Sequence, residues 1–142
     1  KDTSYPFCMQ LPGGNVDKKD IHNGIINING TISREVMEEV NIDIDSEQVL
    51  CYEPMYLAFP PNNQGYQVIG KAKLRMTKQQ MQDYYANYLE YLRENGLEVE
   101  LGRLHFLKSK EDLDKLENPK RGYLRGLIEL ASRENQYGQE ER

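Results

Sequence analysis

Ile28, Ile32, Val36 and Val40 recur every four positions, and this stripe constrains the chain more than any other feature. It predicts an amphipathic helix from about Thr31 to Val40. Asn29-Gly30-Thr31 supplies capping chemistry at its start. Asn41 stands where it should stop, because Asn tolerates the left-handed conformation of a helix terminus. Glu35, Glu38 and Glu39 are spaced i, i+3 and i+4, so their carboxylates share a face away from the stripe. Like charges at that spacing cost a helix roughly some tenths of a kcal/mol per pair. Such a face is either solvated or neutralised by a hard divalent cation, for which carboxylate oxygens are suitable ligands. Arg34, four residues before Glu38, can hold a carboxylate bidentately and fix the cluster.

The acidity of the chain has its source here. The formal net charge is −5, and residues 34–47 contain six acids against one base while the remainder balances at 17 of each. An acidic chain does not suit general binding to a phosphate backbone, so no long nucleic acid is expected as a partner. No run approaches the ~18 apolar residues of a membrane span, and no charged-then-apolar leader opens the sequence. Cys8 and Cys51 are too few for a disulfide framework and suggest a reducing, cytoplasmic setting. His22 and His105, far apart, argue against a His/Cys zinc site.

The 142 residues are one domain's worth of chain. A short strand is expected at 5–11, ended by Pro12-Gly13-Gly14, and a long polar loop at 15–30. Residues 49–59 and 66–76 read as a hairpin around a Pro60–Gly65 turn. Its second strand should put Val68, Gly70, Ala72 and Leu74 on one face and Lys71, Lys73 and Arg75 on the other.

A long helix is expected over 77–95, with Thr77 and Gln80 as a capping box and Gly96 just past its end. Its stripe is Met81, Tyr85, Tyr88, Leu89 and Leu92. Tyr84, Tyr85, Tyr88 and Tyr91 read as core stripe plus amphipathic rim in preference to a base-stacking surface. A third strand is expected at 101–107, a short helix capped by Ser109, and a last helix with Pro119 at its first position and a polar tail from 136. Interleaved strands and helices favour an α/β class of the α+β type.

Leu11-Pro12-Gly13-Gly14, a loop, and then REVMEEVNI at 34–42 resemble the Nudix box, G-x5-E-x7-R-E-U-x-E-E-x-G-U with U aliphatic. Arg34, Glu35, Val36, Glu38, Glu39 and Ile42 match the second half. Asn41 replaces the late glycine, and the interval from Gly14 to Arg34 is six residues longer than the pattern. The first box glutamate is absent, with Asp17 or Asp20 as stand-ins.

The resemblance implies a single Nudix-like domain, an α/β/α sandwich with a mixed sheet. Its start is expected to be truncated, and the helix at 77–95 is read as a lid, a dimer contact or decoration. The implied activity is metal-dependent hydrolysis of the pyrophosphate bond in a nucleoside diphosphate linked to another moiety, such as a nucleotide sugar, ADP-ribose or a nucleoside triphosphate. The implied cofactor is Mg²⁺ or Mn²⁺. Glu35, Glu38 and Glu39 would be its ligands and act in catalysis, Arg34 would orient them, and the Gly14 carbonyl would approach the metal. A further acid would come from Glu90, Glu94, Glu98 or Glu100. Lys18 and Lys19 read as solvated loop lysines or as phosphate contacts, and Tyr52, Tyr56 and Phe59 as core or as a base stack. The expected partner is a small-molecule nucleotide, with no membrane and with a homodimer as an option. The alternative is a nucleotide-sensing or interaction module without turnover.

Overall fold

Among the described residues, eight strands and α-helices organise the chain. They are β1 (Ile21–His22), β2 (Ile25–Ile26), α1 (Ile28–Val40), β3 (Val49–Ala58), β4 (Gln67–Leu74), α2 (Lys78–Glu94), α3 (Lys110–Asp114) and α4 (Tyr123–Glu140). The computed structural model describes residues 8–58 and 67–140, with only the backbone at 54–55 and 134–140. The expected turn at Pro60–Gly65 and the start of the first strand lie outside the described residues. Helices accompany two antiparallel two-stranded sheets, β1-β2 and β3-β4, so the class is mixed α+β. Among the described residues, no helix is long and apolar enough to cross a membrane.

The chain divides into two compact units. In the larger, residues 12–58 and 67–104, the buried side chains include Val40, Ile42, Ile44, Met81, Tyr85 and Leu89. Here β3 pairs with β4 through Tyr52↔Ala72 and Leu57↔Val68, with irregularities at Val49/Cys51 and Pro54/Tyr56. The expected alternation of faces on β4 does not hold. Ile69 is the buried residue, while Gly70 and Ala72 are exposed. A two-stranded ribbon has too little cover for side-chain alternation to dictate burial.

The predicted loop at 15–30 is more ordered than its composition suggests. A 3₁₀ turn at Lys18–Asp20 leads into the β1-β2 hairpin, and α1 begins at Ile28, three residues before the expected start. Asn23 and Gly24 take φ of 53° and 78° at the hairpin tip. This is the left-handed pair a two-residue turn demands. Asn27, rather than Asn29 or Thr31, caps α1, and its side chain accepts from the Gly30 N–H at 3.0 Å. Asn41 ends the helix in the left-handed region, as expected.

The expectation for α2 holds closely. Thr77 and Gln80 form the capping box. Past the other end, Gly96 N–H bonds the Arg93 carbonyl at 3.2 Å and Leu97 N–H the Leu92 carbonyl at 2.8 Å, a paired closure that left-handed Gly96 permits. Residues 101–107 form no strand. A strand needs a paired backbone, and the Leu101 carbonyl instead accepts the Tyr85 hydroxyl.

The smaller unit contains residues 8–11 and 105–140, with Leu113 and Leu124 buried. Ser109 caps α3 as expected. Pro119 does not open α4. The Met9 N–H bonds the Pro119 carbonyl at 2.7 Å and the Arg121 N–H bonds the Met9 carbonyl at 3.0 Å. That ladder holds 119–121 extended, so α4 starts at Tyr123 and then runs on through the expected tail to Glu140.

Candidate functional site

The buried face of α1 is only partly the expected one. Thr31, Glu35, Glu39 and Val40 are its buried residues, while Ile28 is exposed and Val36 only half-buried. Glu35 and Glu39 are 4% and 5% exposed, one turn apart on a single line. Glu38, one step round, is half-exposed.

The Pro12-Gly13-Gly14 segment makes this burial feasible. The Gly13 N–H donates to Glu39 Oε2 at 2.8 Å. Gly14 lies against Glu35 so closely that a Cβ there would overlap the carboxylate. Two consecutive glycines thus let backbone take the place of side chain over two buried acids, and Gly13 does so at a φ of 151°.

Arg34 is the counter-charge. Its Nη2 meets Asp20 Oδ2 at 3.1 Å, its Nη1 bonds Glu35 Oε1, and the same nitrogen lies 3.7 Å from Glu38 Oε2. Its Nε is buried without a partner. Asp20 is itself buried, and the Asp17 N–H donates to its carboxylate at 2.8 Å. That bond, opposed by burial and aided by Arg34 and Thr31, holds the Asp20 carboxyl below its ordinary value. Of the two expected stand-in acids, Asp20 is therefore the one at Arg34. Asp17 is exposed and pairs with exposed Lys19 at 3.7 Å. Lys18 and Lys19 are solvated.

Glu39 differs electrostatically from its neighbours. Burial pushes its carboxyl up to about 7, the Gly13 N–H opposes this, and Glu100 and Glu35 add to it through charge and a Glu100 hydrogen bond. Glu100, one of the four later acids, thus meets the cluster. Glu90, Glu94 and Glu98 are exposed. Among the described residues, no three His, Cys, Asp or Glu side chains converge as a ready-made metal site.

Helix α2 holds the end of α1. The Tyr88 hydroxyl donates to the Glu38 carbonyl at 2.7 Å, the Tyr84 hydroxyl donates to the Asn41 carbonyl, and the Asn41 side-chain amide donates back to Tyr84 at 2.9 Å. The last carbonyls of a helix have no partner within it, so these tyrosines satisfy groups otherwise orphaned. Tyr85 is core, its hydroxyl pushed up to about 12 by burial, then by Glu39 and Tyr88. Tyr91 is exposed, and its ring stacks near Tyr88.

The chain matches no model of a known protein family, no curated protein and no solved structure in the comparisons made.

Proposed function

We propose that the chain is a Nudix-like hydrolase that cleaves the pyrophosphate bond of a nucleoside diphosphate derivative with Mg²⁺ or Mn²⁺, in a Nudix-like α/β/α sandwich. One observation carries the reading: the glycine pair clasps buried Glu35 and Glu39, leaving Glu39 desolvated beside Glu100 and held by the Gly13 N–H. Negative charge gathered in a dry place calls for a cation.

The donor chemistry suits that cation. The donors are all oxygen (Glu35, Glu39, Glu100 and the neighbouring Glu38), the set that hard divalent ions take. Glu38, now 3.7 Å from Arg34 Nη1, would complete the set. The pattern of the box also becomes regular. Five residues separate Gly14 from Asp20, the family's own interval to its first acid, and the six extra residues equal the Ile21–Ile26 hairpin. The Asn27 N–H bonds the Asp20 carbonyl at 2.8 Å, so that hairpin is looped out of an otherwise ordinary box.

A bound Mg²⁺ would polarise the diphosphate and activate water. Arg34 holds Glu35 in place, with Asp20 orienting the guanidinium from the far side. Glu39, with its carboxyl near 7, suits a proton acceptor working near neutrality, and Glu100 can share that proton.

The test is turnover of a panel of nucleotide sugars, ADP-ribose and nucleoside triphosphates, with Mg²⁺, Mn²⁺ or chelator. Metal-dependent release of a mononucleotide or phosphate, lost in Glu39→Gln, is the expected result. Nucleotide binding with no turnover across the panel would favour the sensing module instead.

A further inference from the structure

Three Asn-Gly dipeptides occur in the chain, at 23–24, 29–30 and 95–96. In such a pair the backbone nitrogen after asparagine can approach the side-chain carbonyl carbon, because glycine has no Cβ in the way. All three asparagines are exposed, so access to water does not tell them apart. What differs is how the attacking nitrogen is held.

At two of the sites it is tied to a helix end. The Gly30 N–H donates to Asn27 Oδ1 at 3.0 Å in the first turn of α1. The Gly96 N–H donates to the Arg93 carbonyl at 3.2 Å, and the Asn95 side-chain amide donates to the Tyr91 carbonyl at 2.8 Å. Either pair must give up the bonds of a helix terminus before it can react. Gly24 stands at the tip of the β1-β2 hairpin, and among the described residues its N–H has no comparable backbone partner. The strands beside it are two residues each, joined by Ile21↔Ile26 and His22↔Ile25, with their side chains in water. A two-stranded ribbon of that size opens at little cost.

We propose that Asn23 is a self-modification site, at which the chain converts asparagine to aspartate and isoaspartate. The Gly24 nitrogen, its proton taken by hydroxide, bonds to Asn23 Cγ. The Cγ–Nδ2 bond breaks and ammonia leaves, protonated by water. Water then opens the five-membered imide. Attack at Cγ gives aspartate, and attack at the Asn23 backbone carbonyl carbon gives isoaspartate, with the main chain running through the side chain. The balance is one water consumed and one ammonia released.

The two products act differently on the hairpin. Aspartate tolerates the left-handed conformation of position 23 and adds one negative charge. Isoaspartate adds a methylene to a turn that closes with only two residues, so the His22↔Ile25 pairing is lost. The Asn27 N–H bond to the Asp20 carbonyl closes the chain below the hairpin, which keeps the change at the tip.

The experiment ages the full chain in mildly alkaline buffer made with oxygen-labelled water, beside a sample in urea, and follows all three peptides by mass spectrometry. In the folded chain, labelled aspartate and isoaspartate should accumulate at position 23 roughly tenfold faster or more than at 29 or 95. In urea the three rates should converge, because the dipeptide is the same. Amide exchange should show the hairpin intact in Asn23→Asp and open in the isoaspartate fraction. Equal rates at the three sites in the folded chain, a ranking that survives in urea, or an unreacted Asn23 while the urea sample converts overturns the assignment.

Discussion

Single residues at the acid cluster do unequal work. Glu35 is paired with a cation, Glu38 is half in water, and Glu39 is buried near neutrality with an acid on either side. Glu39→Gln keeps the volume and the Gly13 bond but removes the charge, so it should lower metal-dependent turnover by roughly 10²-fold or more while leaving the fold intact. Steady-state kinetics beside circular dichroism check this. Gly14→Ala tests the clasp itself. The added methyl overlaps the Glu35 carboxylate, and relieving that contact should cost about 1–3 kcal/mol in urea unfolding. An unchanged midpoint would mean that the loop yields easily and does not hold Glu35.

At the level of elements, α2 and the β1-β2 hairpin have distinct roles. Helix α2 is tied to the end of α1. Its tyrosines close the open end of α1, so Tyr88→Phe should cost about 1 kcal/mol through the orphaned Glu38 carbonyl. Chemical denaturation measures it, with Tyr91→Phe, at an exposed position, as the neutral control. The hairpin β1-β2 is apolar yet exposed, with Ile25 73% accessible. Its ends already meet through Asn27 and Asp20. Excising residues 21–26 should therefore leave α1, Asp20 and any metal-induced rise in Tm in place. Loss of that rise would show that the hairpin belongs to the site.

The whole molecule should register the cluster as a pH dependence of stability. Glu39 titrates near 7 when folded against an ordinary value of 4.5. A raised carboxyl binds its proton more tightly in the folded chain. Its contribution is complete below the unfolded value and lost as pH rises from about 4.5 to about 7, on the order of 2–3 kcal/mol. Asp20 and Asp112, both held low, act oppositely and withdraw stability as pH falls below 3.8. Thermal unfolding in chelator should thus show a maximum at mildly acidic pH. Mg²⁺ should flatten the neutral limb, because a cation favours ionised Glu39. Glu39→Gln should remove that limb. A limb unchanged in this variant would assign it to another group.

Much was legible in local pattern. Capping chemistry located α2, α3 and the stop of α1 at Asn41, because those signals act within one turn of the chain. The β3-β4 hairpin and the Arg34–Glu39 motif were visible for the same reason. Tertiary contacts decided what local pattern leaves open. Residues 101–107 have the composition of a strand, but the Leu101 carbonyl went to Tyr85. Pro119 suits a helix start, but Met9 claimed its carbonyl.

The sharpest departure is on α1, where hydropathy assigned burial to the aliphatic stripe and packing buried Glu35 and Glu39 beside Val40 while leaving Ile28 exposed. Periodicity ranks side chains by their cost of leaving water, whereas two glycines and an arginine can lower that cost only once the chain has brought them together. The sequence by itself determined that three carboxylates share one helix face. Which of them is dry, which acid steadies Arg34, and that Glu100 joins them were decided by the tertiary structure, since burial and charge coupling depend on distance in space and not along the chain.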